Sequence, residues 1–182
     1  MQLTNQQTLP VGQAQAWEAL NDMSLLQASI PGCESITPTG ENQYEALVTA
    51  SVGPVKAKFK GKLRLENIQA PNGYTLQFEG QGGPAGHGKG SAEIKLEATG
   101  PNQTVLHYTA NASVGGKLAQ IGSRLVDMAA QKMATDFFER FNEKLAERYG
   151  VAPVTEAVAP EVAGGGGLVA RIVAWFKRLF GG

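Results

Sequence analysis

From residue 43 to residue 114 the chain alternates apolar and polar positions with a period of two. In residues 43–52, Tyr44, Ala46, Val48, Ala50 and Val52 fall on one side. In residues 55–65, Lys56, Lys58, Lys60, Lys62 and Arg64 share one face, and Ala57, Phe59, Gly61, Leu63 and Leu65 share the other. Tyr74, Leu76 and Phe78 form a third row; Ala92, Ile94, Leu96 and Ala98 a fourth; Leu106, Tyr108, Ala110, Ala112 and Val114 a fifth. This period predicts strands with one buried face. Pro71-Asn72-Gly73 and Gly100-Pro101-Asn102 supply turn residues between consecutive strands, so an antiparallel meander is expected. Upstream, Gln2 to Thr8 alternates as a first strand. Val11 to Leu20 and Met23 to Gln27 read as short helices, buried through Trp17, Leu20, Leu25 and Leu26 and separated by Asn21-Asp22 as break and cap. Residues 29–33 read as a turn. The expected order is strand, two helices, six strands and one final helix, an α+β fold.

After Val114 the period changes. Gly116 to Tyr149 contains no proline, and every fourth residue from Ile121 is apolar: Ile121, Leu125, Ala129, Met133, Phe137, Phe141 and Leu145. That spacing predicts a helix with a continuous ridge winding around it. Gly115-Gly116 and Gly150 punctuate its ends. At ~1.5 Å per residue it would reach roughly 50 Å, a length that a curved sheet would cover. It is either an ordinary core helix or the lid of a ligand cavity.

The inward rows bear on that choice. Many of their residues are small, and none is charged. A close-packed interior then requires either a closely approaching helix or a void, and the aromatic residues among the small ones argue against uniformly close approach. An apolar cavity is expected, lined by Tyr44, Phe59, Tyr74, Phe78, Tyr108, Leu125, Met128 and Met133. Without carboxylate or imidazole groups on its walls it suits an apolar ligand better than acid–base chemistry.

Other motifs are weaker. Residues 82–91 nearly spell a phosphate-binding loop, but Gly90 stands where a hydroxyl residue would ligate magnesium, and a strand pattern follows instead of a helix. A mobile glycine-rich hairpin is the better reading. His87 and His107 are far apart and lack clustered ligands, so no metal site is expected. Cys33 reads as a packed thiol. The stripe from Lys56 to Arg64 faces either an anionic partner or the acidic residues Glu45, Glu79, Glu93 and Glu97 on neighbouring outer faces.

Basic and acidic residues balance at 16 each, so net charge argues for no partner, and no nucleic-acid binding is expected. One cysteine fits a reducing compartment. The first ten residues hold no apolar signal core, and a cytoplasmic protein is expected. Residues 1–149 read as one domain and 150–167 as a flexible linker ending in four glycines. Residues 168–182 form a helix pattern. Leu168, Val169, Ile172, Trp175, Phe176, Leu179 and Phe180 lie on its apolar arc, and Arg171, Lys177 and Arg178 lie elsewhere. A basic amphipathic helix with Trp and Phe on its apolar side suits an in-plane anchor on an anionic membrane; the alternative is docking on protein.

The order of elements resembles the helix-grip fold of START-like (SRPBCC) domains. Ile30-Pro31-Gly32-Cys33-Glu34, Val52-Gly53-Pro54-Val55 followed by Phe59-Lys60-Gly61, the Gly86-to-Gly90 hairpin, and Gly116-Lys117-Leu118 with Ile121-Gly122-Arg124-Leu125 are similar to the family of the carbon monoxide dehydrogenase G subunit over about residues 1–148. The resemblance implies a non-enzymatic accessory protein of a molybdenum hydroxylase such as carbon monoxide dehydrogenase. It also implies a bound lipophilic isoprenoid quinone, menaquinone or ubiquinone, and peripheral attachment to the inner face of the cell membrane. A recruitment adaptor without ligand transport and a small START-like enzyme are the alternatives.

Overall fold

A computed structural model describes residues 1–152. Strand β1 (Gln2–Leu9) is followed by helices α1 (Gln13–Leu20) and α2 (Met23–Ser29). Six strands come next: β2 (Cys33–Gly40), β3 (Gln43–Val52), β4 (Val55–Gln69), β5 (Gly73–Gln81), β6 (His87–Gly100) and β7 (Gln103–Gly115). Helices α3 (Lys117–Gln120) and α4 (Ser123–Tyr149) complete the fold. One antiparallel sheet has the order β1-β7-β6-β5-β4-β3-β2, so the meander closes by pairing the first strand with the last. This is the expected α+β helix-grip arrangement, with the sheet around the final helix.

The strand rows align across the sheet as their periods predict. Tyr74, Ile94 and Tyr108 are register partners in series, as are Ala46, Gly61, Gly80, Gly88 and Val114. The first row is large and the second small, so the inner surface is graded from one end to the other.

Two expectations about elements are corrected. The stretch 116–149 is not one helix. Gly122, at φ 95°, breaks it into α3 and α4, because that backbone conformation is one glycine alone adopts freely. The main helix therefore reaches about 40 Å instead of 50 Å at ~1.5 Å per residue. Gly150 does end it, left-handed at φ 63°. The second correction is at residues 29–33, where the turn is shorter than expected: Ser29 closes α2 and Cys33 already opens β2. The linker beyond Ala152 and the whole of the 168–182 pattern lie outside the described residues.

The core gathers at one end. Leu9, Val11, Ala16, Ala19, Leu106, Phe141 and Leu145 are almost completely buried there. Asp22 begins α2 by accepting from the Ser24 and Leu25 amides at 2.9 and 3.1 Å. Its other carboxylate oxygen accepts from Arg148 at 2.8 Å, and Arg148 also reaches Glu18 at 3.2 Å. The last turn of α4 is thereby tied to both short helices. The Leu25 amide above all, assisted by Arg148 and the Ser24 amide, holds the Asp22 carboxyl below its ordinary range.

Candidate functional site

Between α2, α4 and the inner face of the sheet lies a cavity of about 270 Å³. The sheet contributes Tyr44, Leu63, Leu65, Tyr74, Ala92, Ile94 and Tyr108; the helices contribute Leu20, Met23, Leu26, Phe137 and Phe138. Among the described residues no charged side chain, histidine or cysteine touches it. The aromatic walls are fixed by ring contacts. Tyr108 stacks on Phe138 at 5.3 Å between centroids, and Phe138 meets Phe137 edge-on at 5.0 Å. Trp17 meets Tyr74 edge-on at 5.7 Å. Such pairs hold rings in one orientation beyond what area burial alone does.

Of the expected lining residues, Tyr44, Tyr74 and Tyr108 are brought together here. The other five are not. Phe59 lies over Gly82 and Phe78 over Gly90, where a side chain on either glycine would collide with the ring. Phe78 thus covers glycine backbone on the sheet, and Phe59 covers the glycine just after β5. Leu125, Met128 and Met133 are exposed, at 38%, 57% and 38%. The ridge that nominated Leu125 and Met133 drifts about 40° every four residues on an ordinary helix. With Phe141 and Leu145 buried, that drift turns Leu125 to the opposite side.

Counting back from Leu145 in whole turns instead finds the sheet side of α4: Phe138, Ala134 and Asp127. Asp127 Oδ1 is buried and has no hydrogen-bond partner. The strand rows are uncharged as expected, and this half-buried carboxylate of α4 does not line the cavity. The sequence carried the signal, since Asp127 stands eighteen residues before Leu145, about five turns at ~3.6 residues per turn. Buried Asn142 likewise leaves Oδ1 unpartnered.

Beyond the cavity the small row opens a path. A methyl group on Gly80 would meet no atom within 4 Å. The small inward residues therefore face space, not a closely packed helix. At the far end, Leu125 Cδ1 comes within 3.3 Å of where a Gly53 side chain would begin. Among residues 123–136, the first half of α4, none is fully buried.

The outer face holds no free basic patch of the size the stripe suggested. Lys58 pairs with Glu34 at 3.1 Å, Lys60 with Glu45 at 3.3 Å, Lys62 with Glu79 at 3.9 Å and Arg64 with Glu66 at 3.2 Å. These exposed pairs are each worth about 0–1 kcal/mol and neutralise four of the stripe's five charges. His107 meets Glu97 at 2.9 Å on the same face. A broader depression of about 950 Å³ includes Lys62, Arg64, Glu79 and Lys89 in its lining, and is too polar and open for an apolar ligand. The glycine-rich segment is not a loose hairpin. Gly83–Ala85 forms a 3-10 turn, and Gly88 to Ser91 pair within β6. Burial pushes the Cys33 thiol up, and its sulfur donates to the Ser35 carbonyl at 3.5 Å, which suits packing rather than reactivity. Among the described residues no three potential ligands cluster to hold a metal ion, and no helix is long and apolar enough to cross a membrane.

A conserved protein from Geobacillus kaustophilus superposes with a TM-score of 0.77 at 31% identity, covering 81% of this chain and 96% of that one. A START superfamily protein from Mycobacterium smegmatis gives a TM-score of 0.64 at 9% identity, covering 81% and 98%. The Zhui aromatase/cyclase from Streptomyces sp. R1128 gives 0.61 at 14%, covering 82% and 95%. The last two likenesses show the fold alone. No curated protein matches. The family pattern of the carbon monoxide dehydrogenase G subunit (CoxG) matches residues 7–146. With most of its length matched in this way, the chain belongs to the CoxG family, that of the carbon monoxide dehydrogenase G subunit.

Proposed function

We propose that this chain is a non-enzymatic accessory protein of a molybdenum hydroxylase of the carbon monoxide dehydrogenase type. It holds the ring of a lipophilic quinone, menaquinone or ubiquinone, and adsorbs to the inner face of the membrane through residues 168–180. The apolar cavity is the observation that carries this reading. Its volume of about 270 Å³ lies just below the ~300–1,000 Å³ usual for ligand sites. That suits a ring-sized head group and not a whole isoprenoid lipid. The chain of the lipid would run along the row of small residues. Aromatic walls suit the flat faces of a quinone ring. Redox chemistry on this reading belongs to the partner enzyme, and the chain shields its ligand from water. The tether rests on the basic amphipathic pattern of the tail.

The test is mass spectrometry of an organic extract of the full-length protein purified without detergent. An isoprenoid quinone at a substantial fraction of the protein concentration is expected. Extracts containing no lipid, together with failure of added quinone to bind, would leave the adaptor reading in its place.

A further inference from the structure

Tyr74 is a deeply buried wall residue of the cavity whose hydroxyl has no protein partner among the described residues. It is 8% exposed. Its ring is held between Trp17, edge-on at 5.7 Å, and its register partner Ile94. Yet its hydroxyl makes no hydrogen bond among the described residues. Tyr149 of the same end, in contrast, donates to the Gln15 carbonyl at 3.4 Å. A hydroxyl that is not fully enclosed by protein and has no protein partner is free to be completed by a ligand or water in the cavity. Tyr74 and Tyr44 line the same apolar cavity.

We propose that the Tyr74 hydroxyl donates a hydrogen bond to a carbonyl oxygen of the bound molecule and so selects a carbonyl-bearing ring over a plain aromatic hydrocarbon. The inference rests on the quinone-carrier reading and deepens it by naming the group that recognises the head. It also orients the ligand: the carbonyl enters first, toward Trp17 and Ile94, and any substituent chain points toward the small row. Burial, and then the nearby Tyr44, push the Tyr74 phenol well above its ordinary range. Tyr74 therefore remains a neutral donor throughout the physiological range of pH. Phenylalanine at this position would keep the ring, its contact with Trp17 and its packing, and would remove only the donor.

The experiment compares full-length wild type with Tyr74→Phe, using two probes of matching shape. One is 2-methyl-1,4-naphthoquinone and the other 2-methylnaphthalene, each titrated by quenching of intrinsic fluorescence. Wild type is expected to bind the quinone about tenfold more tightly than the hydrocarbon, and Tyr74→Phe to bind the two equally, with its hydrocarbon affinity unchanged. The infrared carbonyl stretch of the bound quinone should lie lower in wild type than in the variant. Retention of the full quinone preference and the lowered stretch in folded Tyr74→Phe would overturn the assignment while leaving the carrier reading intact. Binding of neither probe by wild type would overturn both. Ala92→Leu, which fills the same cavity, should abolish binding of both probes; if it does not, they bind elsewhere and the assignment falls.

Discussion

The most direct test of the cavity is to fill it from its sheet wall. Ala92 faces the cavity from β6 between its register partners Leu76 and Ala110. Ala92→Leu adds three carbons to a space of about 270 Å³. Burying each is worth about 0.8 kcal/mol, so the gain is at most about 2.4 kcal/mol, less about 0.5–1 kcal/mol for the lost rotamer freedom of leucine. A net gain near 1.5 kcal/mol corresponds to a rise in Tm of roughly 3–6 °C in a chain of this size. Were the space filled by protein atoms instead, the same change would overpack it and cost about 1–3 kcal/mol, lowering Tm by a similar amount. The sign of the shift decides between the two. The assay is calorimetry on ligand-free protein, run beside an organic extract of the variant as purified from cells. A higher Tm with no copurified quinone is expected. A lower Tm with ligand retained would refute the cavity and the reasoning from it.

Three further outcomes follow from other parts of the fold. Asp22→Ala removes the cap of α2 and the partner of Arg148, so a loss of at least the ~0.5–2 kcal/mol typical of a cap is expected in chemical denaturation. Asp22→Asn keeps the cap and loses the charge. Because the Asp22 carboxyl is held below its ordinary value, its charge stabilises the fold above about pH 4 and stops doing so as the pH falls through the lowered value; the gap between wild type and Asp22→Asn should close over that interval. Gly90→Ala would place a methyl 2.8 Å from Phe78 Cζ and against the Asn111 carbonyl, whereas Gly80→Ala meets nothing within 4 Å. The first should lower Tm by several degrees and the second leave it unchanged or slightly raised, and equal losses at both would deny the open space above Gly80. Truncation after Gly164 should release the protein from anionic vesicles in a flotation assay while leaving residues 1–149 folded. In the full chain, Trp175 fluorescence should shift to the blue with those vesicles and lose the shift as salt is raised.

The sheet was legible because its strands are buried on one face only, so their alternation is written directly in residues such as Lys56 to Leu65. Strand β2 was legible only in the count of six strands and not in its position, because it is an edge strand paired only with β3. Ile36 is its one buried residue, and the rest of Cys33–Gly40 carries no apolar row to read. Of the small inward residues only Ala92 lines the cavity and the rest lie beyond it, but the three tyrosines on its walls were legible from the inward phase of their strands. Its helical wall, Phe137 and Phe138 with Leu26 and Met23, was not, since nothing in one segment's period says which distant segment packs against it.

The helix shows most clearly how a pattern can be real and still point the wrong way. A spacing of four keeps neighbours in contact, but over the length of α4 it accumulates more than half a turn. The true inward face is spaced by seven and eighteen, through Phe138, Leu145 and Asp127. This leaves Leu125, Met128 and Met133 on the outside at the end where the sheet is lined by glycine and alanine. None of the three lies on the face that Phe138 presents to the sheet, so none lines the cavity. The row of small residues continues from the cavity with space above Gly80, while Phe137 and Phe138 close the other end. On the proposed reading, a lipid held ring-first would have its head against the aromatic walls and its chain along that small row, without unfolding the core beneath Leu145.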